Sequence, residues 1–148
     1  MFAVEGSLKT SARNQFWGKI TAARKGVVNA DVTLDLGAGV ELFANITNEA
    51  VKALDLRAGR DAMALIKASF ALLSPDPNIR ISARNKLRGT VTKVRPGSVN
   101  GEIKLQLAGG RTLTAIVTNE ALQELHIVEG DWCTAMIKAS RVLVAVND

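Results

Sequence analysis

Residues 29–54 read NADVTLDLGAGVELFANITNEAVKAL, and their patterning decides what fold the chain can adopt. From 29 to 36 the residues alternate. Ala30, Val32, Leu34 and Leu36 share one face, and Asp31, Thr33 and Asp35 the other, the period of a half-buried strand. Gly37-Ala38-Gly39 turns the chain, and residues 40–47 alternate again. Thr47 then suits the N-cap of a short helix over 48–54, with Glu49 well placed in its first turn, and Gly59 ends the excursion. Upstream, residues 14–23 supply a first strand; downstream, 61–67 and 70–73 supply two more. Five short strands with a helix after the third predict a small barrel of the oligonucleotide/oligosaccharide-binding (OB) type.

The same plan is written again about 71 residues later. Ser-Ala-Arg-Asn at 11–14 returns at 82–85. Gly18 meets Gly89, Val28-Asn29 meets Val99-Asn100, and Gly39 meets Gly110. Thr-Asn-Glu-Ala at 47–50 returns at 118–121, and Ile-Lys-Ala-Ser at 66–69 returns at 137–140. Apolar positions exchange within type, as Ile20 with Val91, Val32 with Ile103, Ile46 with Val117 and Leu65 with Met136, so each copy keeps a core of its own. The polar words do not exchange. The expected fold is therefore mainly β: two tandem five-stranded OB-like barrels, each with a short helix. An N-terminal extension (1–10) precedes unit one (11–73), and a linker (74–80) leads to unit two (81–148). The linker centres on Ser74-Pro75-Asp76-Pro77-Asn78, where two prolines in three residues cannot extend a strand pairing. A unit of roughly 65 residues buries too little surface to stand alone, so the units should pack on each other or on other chains as a homo-oligomer.

Composition removes several function classes. Apolar runs such as 62–66 are too short to cross a bilayer, and Met1-Phe2-Ala3-Val4-Glu5 lacks the basic start and apolar stretch of a signal peptide. A cytoplasmic chain without a membrane partner is expected. Cys133 has no second cysteine to pair with, and with the lone His126 it cannot make a zinc site within one chain. His126 stands where the first repeat has Asp55, so a repeated role is excluded. Nucleic-acid grooves rely on stacking aromatics, and four Phe, two Trp and no Tyr argue against one; Trp17 and Trp132 read as packing. Nothing pairs a nucleophile with a base or sets an acid pair, so no enzyme is expected. The net charge of +5 favours anionic partners.

Ser11, Arg13, Asn14, Lys67 and Ser69, with Thr47, can all donate hydrogen bonds, and neither SARN nor KAS contains a carboxylate. An all-donor set with two positive charges suits a small, fully deprotonated oxyanion, whose oxygens all accept. Phosphate near neutral pH would gain from an acceptor for its remaining proton, so the set points to sulfate, molybdate or tungstate. Plainer readings stand beside this one. Arg13 and Lys67 could decorate a solvated strand edge. Asn48 and Glu49 are read as serving the helix cap alone, Gly26 and Gly97 as turn glycines, and Asn29 and Asn100 as turn residues or ligands alike.

Ser-Ala-Arg-Asn opening a unit, Gly-x-Val-Asn in its first turn (26–29), Thr-Asn-Glu-Ala in its middle and Lys-Ala-Ser near its end, all twice, resemble the Mop, or molbindin, domain of the TOBE superfamily. Two tandem copies are similar to the di-Mop molbindins. The resemblance implies cytoplasmic binding of molybdate or tungstate for molybdenum storage or homeostasis, with no cofactor, and sites built between units. It also implies particles of six Mop units, hence a trimer of this chain. By the same resemblance Ser11, Arg13, Lys67, Ala68 and Ser69 are ligands, Ala68 through its backbone, with Thr47 approaching from an adjoining unit. The matching set is Ser82, Arg84, Lys138, Ala139 and Ser140, with Thr118. Val28, Asn29, Val99 and Asn100 match a motif lining a second type of oxyanion site on a three-fold axis. The halves differ nearby, Gln15-Phe16-Trp17 becoming Lys86-Leu87-Arg88, Phe70 becoming Arg141 and Ala30 becoming Gly101, so unequal affinities are expected. Tandem Mop units also form the sensing end of molybdate-responsive transcription regulators, which makes the C-terminal sensing part of such a regulator the alternative. Residues 1–9 hold no helix-turn-helix, yet Gly6-Ser7-Leu8-Lys9 reads as a possible linker stub, and nucleic acid enters as a partner only through a fused DNA-binding domain.

Overall fold

A computed structural model of the chain describes residues 9–147. Residues 1–8, which carry most of the expected N-terminal extension and linker stub, lie outside the described residues, as does Asp148. The first repeat forms β1 (Asn14–Lys25), β2 (Asn29–Gly37), β3 (Val40–Thr47), α1 (Asn48–Ala53), β4 (Asp61–Ile66), a 3-10 turn (Ala68–Phe70) and β5 (Leu72–Ser74). The second forms β6 (Asn85–Pro96), β7 (Asn100–Leu107), β8 (Thr112–Thr118), α2 (Asn119–Glu124), β9 (Trp132–Ile137), a 3-10 turn (Ala139–Arg141) and β10 (Leu143–Ala145).

The alternation read from the sequence becomes burial. Ala30, Val32, Leu34 and Leu36 of β2 are at most 1% exposed and meet Ile20, Leu42, Met63 and Ile66 in one core; Val91, Ile103, Leu105, Leu113 and Ile137 fill the other. Gly18 and Gly89 are identical because the neighbouring strand comes too close for a side chain. A Cβ on Gly18 would lie 2.9 Å from the Asp35 carbonyl oxygen, and one on Gly89 2.8 Å from that of Gln106. A register shift follows in both repeats, between Ile20 and Ala22 and between Val91 and Lys93, which bends the long strand and curls the sheet. Asp55 and His126 both adopt φ 52 just past their helices. The expectation of no repeated role at this position is corrected: the side chains differ, but both end a helix through left-handed backbone, which Asp and His tolerate better than most residues.

The sheets run β10-β4-β1-β2-β3 and β5-β9-β6-β7-β8, and every pairing is antiparallel. Leu143, Val144 and Ala145 face Leu65, Ala64 and Met63, whereas Leu72, Leu73 and Ser74 face Met136, Ala135 and Thr134. Each sequence repeat therefore gives its last strand to the other's sheet. One compact unit comprises the residues up to Ile66 with those from Ala139 onward, and the other is Lys67–Lys138. The compact units thus cut across the sequence repeats, because the 3-10 turns after β4 and β9 redirect the chain before its fifth strand. Within each unit the two outer strands approach each other without pairing, so the sheet is a curled half-barrel rather than a closed barrel. Pro75 and Pro77 end the pairing of β5 as expected, while Ser74 Oγ and Asp76 Oδ1 accept the Asp76 and Asn78 N–H groups in successive tight turns.

Trp17 is buried at 8% exposure, as a packing residue should be. Trp132 is not: it stands 63% exposed at the start of β9, with the Arg88 guanidinium 5.9 Å from its ring. That corrects the packing reading, since the position holds Asp61 in the first repeat and faces outward. Cys133 is 2% exposed and its Sγ donates to the Ser74 carbonyl at 3.4 Å; burial pushes the thiol pKa up, so it stays protonated. Among the described residues no helix is long and apolar enough to cross a membrane.

Candidate functional site

SARN splits into an exposed part and an anchor. Asn14 and Asn85, its last letter, are 1% exposed, open β1 and β6, and stand in register with Ile66 and Ile137. The preceding Ser11, Arg13, Ser82 and Arg84 are exposed. Lys67 directly follows Ile66, and Lys138 follows Ile137, so each ladder ends with an arginine next in sequence on one strand and a lysine on the other. The settings differ. In the first repeat Thr10 Oγ1 accepts the Ala12 N–H at 2.8 Å and Gln15 Nε2 donates to the Ala12 carbonyl at 3.1 Å. Ile81 and Lys86 replace Thr10 and Gln15 in the second, and Ile81 has no oxygen to accept as Thr10 does.

KAS lies in the 3-10 turns. Ala68 and Ala139 are buried and pin the turns, leaving Lys67, Ser69, Lys138 and Ser140 exposed. The Phe70 N–H donates to the Lys67 carbonyl at 3.0 Å, and the Lys67 ammonium sits 5.6 Å from the Phe70 ring centre. Arg141 takes the place of that ring in the second repeat. Thr47 and Thr118 cap their helices as expected, Oγ1 accepting from the N–H of Ala50 at 3.1 Å and of Ala121 at 3.2 Å. A hydroxyl that accepts from the helix keeps its own proton to give outward, and both threonines are exposed.

The strand exchange decides which words meet. Within Lys67–Lys138 the turn at 68–70 packs on β8, and Ser69 and Thr118 line one cavity of about 520 Å³ with apolar walls that include Ile79, Ile116, Leu125 and Met136. In the other unit the turn at 139–141 packs on β3, the strand that ends in Thr47. The resemblance brings Thr47 to 67–69, and Thr118 to 138–140, from adjoining units. Within this chain each KAS turn packs on the threonine strand of the other repeat.

The Gly-x-Val-Asn turns are exposed tips. Val27 is 99% exposed, Val28 68% and Val99 69%; the Gly26 N–H donates to the Asn29 carbonyl at 2.8 Å, and the Gly97 N–H to that of Asn100 at 2.9 Å. The backbone N–H of Asn48 donates to the Val28 carbonyl at 3.0 Å, and its Nδ2 to those of Gly26 at 3.0 Å and Val27 at 3.3 Å. The Asn119 N–H donates to Val99 O at 2.9 Å, and its Nδ2 to Gly97 O at 2.8 Å. Asn48 and Asn119 thus do more than serve the cap, which corrects the sequence reading. The available signal was their repetition, because the cap itself needs only the threonine. Among the described residues no group of three or more His, Cys, Asp or Glu side chains is placed to hold a metal ion.

Residues 10–73 and 81–144 each match the TOBE domain. The chain is similar to the structure of the cytoplasmic molybdate-binding protein ModG with molybdate bound, at 44% identity and a TM-score of 0.91, over 95% of this chain and 100% of that one. It is 43% identical over 142 residues to the molybdenum transport protein ModE of Herbaspirillum seropedicae, covering 95% of this chain and 53% of that protein. To the molybdenum-pterin-binding protein MopB of Rhodobacter capsulatus it is 36% identical over 144 residues, covering 95% and 52%. The chain spans about half the length of the curated relatives it matches.

Proposed function

The chain belongs to the TOBE-domain family, and from that premise we propose that it is a cytoplasmic molybdate- or tungstate-binding protein serving molybdenum storage or homeostasis, with no catalytic step of its own. The observation that carries this reading is the pair of all-donor words, SARN and KAS. They are written identically twice, with their serine, arginine and lysine side chains exposed at matching strand ends. The proposed ligands are Ser11, Arg13, Thr47, Lys67, Ala68 and Ser69, and in the second repeat Ser82, Arg84, Thr118, Lys138, Ala139 and Ser140. The tip residues Val28, Asn29, Val99 and Asn100 form the second type of site. Guanidinium, ammonium, hydroxyl and backbone N–H groups satisfy an ion whose four oxygens only accept.

Equilibrium dialysis against molybdate, tungstate, sulfate and phosphate tests this directly. Several equivalents of molybdate or tungstate should bind per assembly of chains, with phosphate competing poorly near neutral pH. Phosphate binding more strongly than molybdate would sink the reading. The small size of each unit also supports assembly into a trimer, and sedimentation should give a mass near three times 15.8 kDa. A monomer that still takes up molybdate would remove the need for a neighbouring chain. A second reading, the sensing part of a molybdate-responsive regulator, is favoured by the 43% and 39% identity to ModE-type relatives.

A further inference from the structure

We infer that Asn48 and Asn119 are positioning residues that hold the two Gly-x-Val-Asn tips open as backbone anion-binding nests, a role that rests on the oxyanion reading above. Asn48 draws three successive carbonyls, those of Gly26, Val27 and Val28, toward the start of α1. No peptide bond among the described residues is cis, and in a trans peptide the N–H points opposite to the C=O. The N–H groups of Val27, Val28 and Asn29 are therefore turned away from the helix, on a tip whose valines are exposed. Asn119 holds two carbonyls of its tip, those of Gly97 and Val99, which turns out the N–H groups of Ser98 and Asn100. N–H groups of neighbouring turn residues that face one side form a concavity that suits an anion.

A helix cap does not account for this asparagine. Thr47 and Thr118 already supply the side-chain caps, accepting the Ala50 and Ala121 N–H groups. The side-chain oxygens of both asparagines are buried without a hydrogen-bond partner, an unfavourable arrangement that serves only to aim the amide donors at the tip carbonyls. The dipeptides Thr47-Asn48 and Thr118-Asn119 thus join the two proposed types of site: the threonine hydroxyl serves the first, and the asparagine shapes the second.

The test compares the full chain with two double variants, Asn48→Ala with Asn119→Ala and Asn48→Asp with Asn119→Asp. Aspartate keeps the shape and a good helix start but removes the donors. Titration with molybdate should show both variants weakened by about tenfold or more at the tip class of sites, with the arginine-dependent class within about twofold of the parent. An aspartate variant that binds like the parent, or a uniform loss at both classes, overturns the proposal. A second readout needs no ligand: amide hydrogen exchange at 27–29 and 98–100 should quicken in both variants. Unchanged exchange overturns the positioning role whatever binds. If the parent takes up no molybdate while the variants still loosen the tips, the oxyanion reading fails and the positioning of the tip backbone stands.

Discussion

Replacing both arginines, Arg13→Ala with Arg84→Ala, is expected to abolish tight oxyanion uptake at the SARN sites while leaving the fold in place. Each arginine directly precedes a buried asparagine that anchors the strand, so the anchor remains when the exposed guanidinium is removed. Loss of a charge-assisted hydrogen bond to a largely desolvated anion costs on the order of 2 to 3 kcal/mol, roughly a factor of 30 to 150 in affinity. The single change Arg13→Ala should weaken one class and spare its counterpart. Without ligand, truncating an exposed side chain changes stability by about 0.5 kcal/mol or less, so the melting temperature of the empty protein should move little. Calorimetric titration with molybdate and a melting curve without it should therefore move independently. A double variant that melts far lower while keeping full stoichiometry would make SARN a structural word.

Much of this was legible in the sequence because it is local. Strand alternation around Val32 and Leu34, the threonine caps and the proline stop after Ser74 each depend on neighbours a few residues apart. The donor words were legible because they are repeated and carry no carboxylate. The ownership of the fifth strand was not. Leu-Leu-Ser at 72–74 and Leu-Val-Ala at 143–145 occupy equivalent places, and either can complete the apolar edge of β4 or β9, so no pattern within a repeat separates self-pairing from exchange. The path of the chain through a three-residue 3-10 turn decides it, and such a turn has no strong signature. The same exchange sets which threonine strand each KAS turn packs on within the chain. The asparagine clamp escaped for a related reason: it joins residues about 22 apart, and the Asn48 side chain looks the same in sequence whether it faces solvent or two carbonyls.

Deleting residues 143–148 is expected to damage the N-terminal repeat more than the C-terminal one, although the deletion lies almost 80 residues beyond the strand it exposes. β10 covers one edge of β4, with Val144 opposite Ala64 and Ala145 opposite Met63, and both partners are fully buried. Stripping the strand unpairs that edge and uncovers apolar surface. A loss on the order of 2 to 4 kcal/mol should fall on the unit that contains β1 to β4. β9 keeps its own cover, because Leu72 to Ser74 remain in place. Hydrogen exchange should therefore accelerate at 63–65 and stay slow at 134–136, and thermal unfolding should split, the weakened unit melting first. Self-paired repeats predict the opposite, since deletion of the last strand would then loosen β9 and leave β4 untouched. Protection that survives at 63–65 would overturn the exchange, and with it the meeting of Ser69 and Thr118 in one unit.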